Sequence, residues 1–267
     1  MKHTLVLAID IGNSQTAIGI YRDTKIEASY RLTTNEKTTS DEIFFRISDL
    51  IKHFGCKTKD FTHIGLSNVV PQLERPWIKA LVAYFNKPVQ IVSAKNCLDL
   101  SIAYPRPRSV GPDRLCNMIA LRSRGIQNGI VVDMGTATTF DVLHNGGFAG
   151  GLIVPGISAS MDALTEKAAM LLPVSLKWTN KFVAKNTGDA MRSGILHGFL
   201  GQLDFLIKGI MKETGMESIP IIATGGWGQM LLNHTPIIKS YDPYLTLEGI
   251  RLVALGGNGF SNSEGEE

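Results

Sequence analysis

Apolar positions along this chain follow two rhythms, and the same succession of rhythms comes round twice. Leu5–Ile9 is a short continuous apolar run that reads as a buried strand, with Gln15–Tyr21 as its hairpin partner. Beyond the turn Arg22–Lys25, Ile26–Thr33 supplies a third antiparallel strand. Ile43, Phe44, Ile47, Leu50, Ile51 and Phe54 then recur at helical spacing. Thr39 or Ser40 can cap that helix over Asp41–Phe54, and Gly55 stops it. Ile64–Val69 predicts a strand, Pro76 a helix start before Trp77–Phe85, and Val89–Val92 another strand.

The second half repeats the plan. Val131–His144 reads as a strand pair, Asn145-Gly146-Gly147 as a hairpin turn, and Phe148–Val154 as a continuation of the sheet. A helix is expected from Ser160 to Leu171, then an irregular polar segment over Lys177–Lys185. Asn186-Thr187-Gly188-Asp189 caps a long helix to Thr214, with Gly215 as its stop. Its stripe Ile195, Phe199, Leu203, Leu206 and Ile210 is widened by Leu196, Leu200 and Ile207. So broad an apolar face predicts burial on two sides, and Gly194, Gly198 and Gly201 would admit a close neighbour from the same chain or a second copy. Pro220–Ala223 is a strand ending in Thr224-Gly225-Gly226, and Thr246 opens a final helix.

Composition narrows the class. A chain of 267 residues, 44% hydrophobic and 19% charged, is a soluble globular protein with room for two domains. A net charge of +3 argues for neither nucleic acid nor membrane as a partner. Cys56, Cys97 and Cys116 lack metal-ligand spacing and suggest a reducing cytoplasm without disulfides. Residues 1–11 are too short for a membrane span, and Asp10 interrupts them, so no signal peptide is expected. Ser261–Glu267 reads as a disordered acidic tail.

The chemistry concentrates in turns. In Val131–Val142 a strand ends in Asp133 and Gly135, and Thr136, Thr138 and Thr139 open the next strand. Glycine admits an anion close to backbone N–H groups, hydroxyls donate to phosphate oxygens, and Asp133 supplies charge for a cation. Alone, this segment reads equally well as a hairpin of β-favouring threonines. Asp10 and Gly12 in Leu5–Tyr21 repeat the arrangement, which points to a duplicated fold with a nucleotide between its halves. Between the halves, the proline-rich Tyr104–Arg108 is either a solvated linker or a substrate loop. Asp113 follows at a helix N-terminus, where a capping role competes with a chemical one.

The βββαβαβ order matches the core unit of the actin-like ATPase and sugar-kinase superfamily. More specifically, the chain resembles the type III pantothenate kinases from Leu5 to about Leu255. The motifs that carry this are DIGNSQT (10–16), GPDR (111–114), VDMGTATTFD (132–141), GGLIVPGI (150–157), ATGG (223–226) and LTLEGI (245–250). The resemblance implies an α/β fold of two duplicated actin-like, ribonuclease H-like domains, each a mixed sheet flanked by helices, with the nucleotide cleft between them. Boundaries are expected at 1–124 and 125–260, with the tail at 261–267.

It further implies ATP-dependent phosphorylation of pantothenate, with Mg²⁺, a monovalent cation (K⁺ or NH₄⁺) and a homodimer. Asp10, Ile11, Gly12 and Asn13, with Ser14, Gln15, Thr16 and Ala17, match the phosphate-binding segment, and Thr136 adds a contact. Asp113 matches the catalytic proton acceptor. Tyr104, Gly111, Pro112, Arg114 and Thr187 join Asp113 in matching substrate-binding positions, and Asp133 matches the cation ligand. Pro112 stands where the family usually has alanine, and Gln15 departs from its Asn-Thr-Asn pattern. A non-catalytic nucleotide-binding regulator and a sugar or acetate kinase are the alternatives on the same fold.

Overall fold

The structure is a computed structural model that describes residues 4–256. In chain order its elements are β1 (Leu5–Ile11), β2 (Gln15–Arg22), β3 (Lys25–Thr33), α1 (Ser40–Phe54), β4 (Phe61–Asn68), α2 (Pro71–Phe85), β5 (Gln90–Ile91) and α3 (Pro112–Ser123). There follow β6 (Gly129–Met134), β7 (Ala137–His144), β8 (Gly147–Pro155), α4 (Ile157–Lys167), α5 (Thr187–Thr214), β9 (Ile221–Thr224), α6 (Gly228–Leu232), β10 (Ser240–Tyr241) and α7 (Leu245–Gly256). The chain divides into two compact units, one running to Arg124 and resuming at Tyr244, the other Gly125–Pro243. The final helix was expected within a domain spanning 125–260; instead α7 packs on β1 and β4 of the first unit. The expected tail at 261–267 lies outside the described residues.

The two sheets share one topology. The first runs β3-β2-β1-β4-β5, and the second, read from the matching edge, β8-β7-β6-β9-β10. In each, three antiparallel strands are extended by two parallel ones on the far side of the first. This is the duplicated mixed-sheet architecture that the repeated apolar pattern predicts.

In the first unit the alternation along β1 separates two layers. Leu5, Leu7, Ile9 and Ile11 join the core made with α1 and α2, through Ile43, Ile47, Leu73 and Trp77. The intervening positions face α7, where Gly65 leaves room for Ile250. Helix α3 lies on α7 in turn. A side chain at Gly249 would overlap the backbone of Cys116, its Cβ falling 2.6 Å from the Cys116 Cα. Thr246 donates to the Asn117 side chain at 2.8 Å, tying the same two helices. Local signals define α1: Thr39 and Glu42 form a reciprocal capping box, and Gly55 ends the helix at φ 81°. Helix α2 differs from expectation. It begins at Pro71, and Pro76 lies inside it. The buried Leu73 and Trp77 on either side hold the helix on the core, at a turn whose exposed Gln72 lets water replace the missing donor.

In the second unit Ile130, Val132, Phe140 and Val142 pack with Leu196, Phe199, Leu203 and Ile207 of α5. Helix α4 covers 157–167, shorter at its C-terminal end than expected and starting earlier. On α5 the N-cap is Asn186 and the stop is Gly215 at φ 66°, as the sequence predicts. The glycines do not serve packing within the chain: Gly194, Gly198 and Gly201 are exposed, and a Cβ there would meet nothing within 4 Å. Short α6 and β10 had no counterpart in the sequence pattern. Among the described residues no helix is long and apolar enough to cross a membrane.

These contacts predict the effect of a single methyl group. Gly249→Ala should lower the unfolding free energy by about 1–3 kcal/mol in urea titrations, as overpacking against rigid backbone does. Gly194→Ala, with open space around it, should hold or raise stability. A Gly249→Ala protein as stable as its parent would show that α3 can leave α7 at no cost.

Candidate active site

The first unit carries the predicted residues of the β1–β2 hairpin and of the start of α3. Asp10 sits near the end of β1, opposite Ala17 in β2 and Ser67 in β4. The buried Ser67 hydroxyl donates to Asp10 Oδ1 at 2.8 Å. The hairpin beyond it is closed by the Gly12 N–H, which donates to the Gln15 carbonyl at 3.0 Å. Ile11 is buried in the core, while Asn13, Ser14 and Gln15 are exposed at the tip. Thr16 is buried and shares a 2.9 Å hydroxyl contact with Thr34. The result is a tight turn presenting hydroxyl and amide groups next to a fixed carboxylate, which suits an anion and the cation that accompanies it.

Helix α3 begins just after the proline-rich connection. Its N-cap is Gly111, Pro112 holds the first helical position, and Asp113 the second. Asp113 is therefore not the N-cap. Its Oδ1 instead accepts the Arg114 backbone N–H at 2.8 Å, and a Cβ at Gly111 would overlap that oxygen. Arg114 is buried, and its Nη1 lies 3.5 Å from the Tyr104 hydroxyl, so the connection is anchored to the helix rather than solvated throughout. Burial pushes the Asp113 carboxyl above its ordinary value; the Arg114 N–H and the Arg114 charge oppose this without cancelling it. One turn on, Cys116 is fully buried, and its thiol lies close enough to Asp10 and Asp113 to feel both charges. Burial first, and then those two carboxylates, raise it well above a normal thiol.

The second unit builds the corresponding turn. Asp133, near the end of β6, lies opposite Thr139 in β7 and Thr224 in β9. The Gly135 N–H donates to the Ala137 carbonyl at 3.1 Å, and the Gly156 N–H to the Thr136 carbonyl at 3.0 Å. Gly225, at φ 82°, folds the ATGG turn beneath Asp133; a Cβ there would fall 2.6 Å from Asp133 Oδ1. Trp227 then donates its N–H to the Met134 carbonyl at 3.3 Å, which fixes the turn. Thr136 is exposed at the hairpin tip, and Thr187 stands exposed at the first position of α5.

Comparison with known proteins bears on what these turns serve. A profile of the type III pantothenate kinase family matches residues 6–209. A type III pantothenate kinase from Agathobacter rectalis is 36% identical over 250 residues, covering 93% of this chain and 96% of that one. The chain belongs to the type III pantothenate kinase family. Among solved structures, a Campylobacter jejuni protein described as belonging to the Baf family of transcriptional activators superposes with TM-score 0.57 at 22% identity, over 93% of this chain and 96% of that one. The ROK hexokinase of Thermus thermophilus gives TM-score 0.53 at 12% identity, over 94% and 98%. At those identities the two structures speak for the shared actin-like, sugar-kinase fold alone.

For this type III pantothenate kinase family member, the donor sets suit the groups that a kinase reaction needs. Asp10 and the exposed Ser14 hydroxyl at the hairpin tip are hard oxygen donors, appropriate to phosphate-bound Mg²⁺, whereas the Thr16 hydroxyl is turned to Thr34. Asp133 adds a carboxylate to a turn whose backbone packs so close that a Cβ at Gly225 would overlap Asp133 Oδ1 and the Met134 backbone, and a carboxylate there fits a cation. Two neighbours of these groups escaped the sequence pattern, Ser67 beside Asp10 and Cys116 beneath Asp10 and Asp113, while Thr224 of the ATGG turn takes the matching register beside Asp133. The available signal was a hydroxyl residue at the end of each parallel neighbouring strand.

Because Asp113 titrates higher in the folded chain than in the unfolded one, its ionisation works against folding. The protonated carboxyl's favourable contribution is present in full only below the ordinary carboxylate range and is lost as pH rises through the raised value, above which the penalty of ionisation is complete. Asp113→Asn, which keeps an oxygen for the Arg114 N–H, should therefore be more stable than the parent at pH 7. The difference should shrink as pH falls below the ordinary aspartate range. Urea titrations at both pH values test this, and a less stable variant at neutral pH would reject it.

Proposed function

We propose that this chain transfers the γ-phosphoryl group of ATP to a hydroxyl of pantothenate, giving 4′-phosphopantothenate and ADP, the first step of coenzyme A biosynthesis. The observation that carries this reading is Asp113, half-buried at the start of α3 beside buried Arg114, in a chain matched to the family over residues 6–209. A carboxylate with a raised pKa is a better proton acceptor at neutral pH than an exposed one. Asp113 orients the substrate hydroxyl and accepts its proton as oxygen bonds to phosphorus. Arg114 and Tyr104 bind the acidic substrate, with Gly111, Pro112 and Thr187 as further contacts.

The segment Asp10–Ala17 and Thr136 hold the phosphates, and Asp10 meets the Mg²⁺ that accompanies them. Bound there, Mg²⁺ would neutralise phosphate charge as it builds in a loose transition state, in which positioning and electrostatics supply most of the acceleration. Asp133 is assigned to a potassium or ammonium ion. The protein acts in a reducing cytoplasm, in keeping with its free cysteines Cys56, Cys97 and Cys116.

Assembly as a homodimer accords with the apolar surface of the second unit. On α5 the exposed Gly194, Gly198 and Gly201 are followed by Phe205 at 76% exposure, and on β8 Ile153 is 62% exposed. Light scattering at micromolar concentration should give twice the chain mass.

A coupled ADP-release assay with pantothenate against sugars and acetate tests the substrate. Only pantothenate should support turnover, and only with potassium or ammonium present; equal rates in sodium would remove Asp133 from the role of cation ligand. Asp113→Asn should bind ATP as the parent does and turn over at least ~100-fold more slowly, the scale of general-base catalysis. A variant keeping a tenth of the parental kcat would leave Asp113 as a helix-terminal residue only.

A further inference from the structure

Asp10 can serve a nucleotide only if its carboxylate is aimed. It stands two residues before the hairpin, and a solvated carboxylate in such a place rotates about χ1 and χ2 at little cost. In this chain it does not stand alone. Ser67, the parallel-strand neighbour of Asp10 in register, is fully buried, and its hydroxyl donates to Asp10 Oδ1 at 2.8 Å. On the other flank of that hydroxyl lies the buried thiol of Cys116, itself fixed because α3 is pressed against Gly249 of α7. The hydroxyl thus stands between a strand that carries Asp10 and a helix that carries Asp113.

We propose that Ser67 is a positioning residue for the phosphoryl transfer, its buried hydroxyl holding the Asp10 carboxylate in one orientation toward the phosphate-bound Mg²⁺. The proposal rests on reading Asp10–Ala17 as the phosphate-binding segment. A charge-assisted hydrogen bond in a buried place is among the stronger ones, and its loss leaves both groups misaligned. The second unit repeats the register, with Thr224 of β9 paired with Asp133 of β6. A hydroxyl at that place recurs with an aspartate, though the two residue types differ.

The test uses the full-length protein and four variants. Ser67→Ala and Ser67→Val remove the hydroxyl, Ser67→Thr keeps it, and Asp10→Asn controls for the underlying reading. Val and Thr have nearly the same volume, so their difference isolates the hydroxyl from packing. With folding checked by thermal denaturation, Ser67→Val should lose at least ~10-fold in kcat relative to Ser67→Thr, the scale of one hydrogen bond to a charged group. Its half-saturating Mg²⁺ should rise, while KM for pantothenate stays near the parental value.

Calorimetry gives a readout apart from turnover. The gain in ADP affinity on adding Mg²⁺ should shrink in Ser67→Ala and Ser67→Val, with metal-free ADP binding unchanged. Equal kcat, Mg²⁺ requirement and Mg²⁺-dependent ADP binding in Ser67→Thr and Ser67→Val, with Asp10→Asn inactive, would overturn the role of Ser67 alone. An Asp10→Asn protein with parental Mg²⁺ dependence would overturn the reading of Asp10 itself.

Discussion

The close approach of α3 to α7 is the contact on which the site depends. A helix whose N-terminal turn carries Asp113 and Arg114 must be held at a fixed depth if those groups are to act on a substrate. Gly249 sets that depth, because the missing Cβ lets the Cys116 backbone descend onto α7. Helix α7 is itself seated on β1 and β4, with Gly65 opening space for Ile250. From strand to helix to helix, the positions of Asp10 and Asp113 thus derive from backbone packing rather than from flexible side chains. Rigid placement of this kind matters where reacting groups must lie within a fraction of an ångström of a productive geometry.

The same packing creates an electrostatic tension. Asp113 is desolvated enough that its carboxyl rises above the ordinary range even though the Arg114 N–H and charge favour ionisation. Folding would be better served by a neutral residue there, whereas proton acceptance is better served by a basic carboxylate. On the proposed role of Asp113 as proton acceptor, this burial favours chemistry over stability. Cys116 beneath it has the opposite character: burial and two neighbouring carboxylates keep the thiol protonated, so it acts as a small packing group.

Duplication of the fold has left a shared frame with different fittings. In the first unit the Thr34 N–H donates to the Ser14 carbonyl, and in the second the Gly156 N–H donates to the Thr136 carbonyl, each at 3.0 Å. The first turn is one residue longer and has room for Thr34, whose hydroxyl meets Thr16. The shorter second turn presses onto Gly156, where any side chain would overlap the Gly135 and Thr136 carbonyls. Thr138, the counterpart of Thr16 in register, is consequently buried with no hydrogen-bond partner for its hydroxyl. The shorter turn carries this cost in the strand behind it.

What the sequence determined by itself was everything whose signal lies within a few residues. The α1 cap, narrowed by the sequence to Thr39 or Ser40, the stops at Gly55 and Gly215, the Asn186 cap and the repeated strand-Asp-x-Gly-strand units all act locally and were legible. So were the motifs that carry the family resemblance. Tertiary structure decided the rest. Pro76 lies within α2 because buried Leu73 and Trp77 outweigh one lost backbone hydrogen bond. Helix α7 joins the first unit because its apolar face is buried against β1 and β4, strands that lie far earlier in the chain. Ser67 reaches Asp10 across 57 residues, a partnership made by strand register and invisible to any local pattern. For Asp113 the sequence left a capping role in competition with a chemical one; Gly111 takes the cap and Pro112 the first helical position, which leaves the carboxylate accepting from the Arg114 N–H. Local propensity can be read one residue at a time, whereas register and burial exist only once distant segments have met.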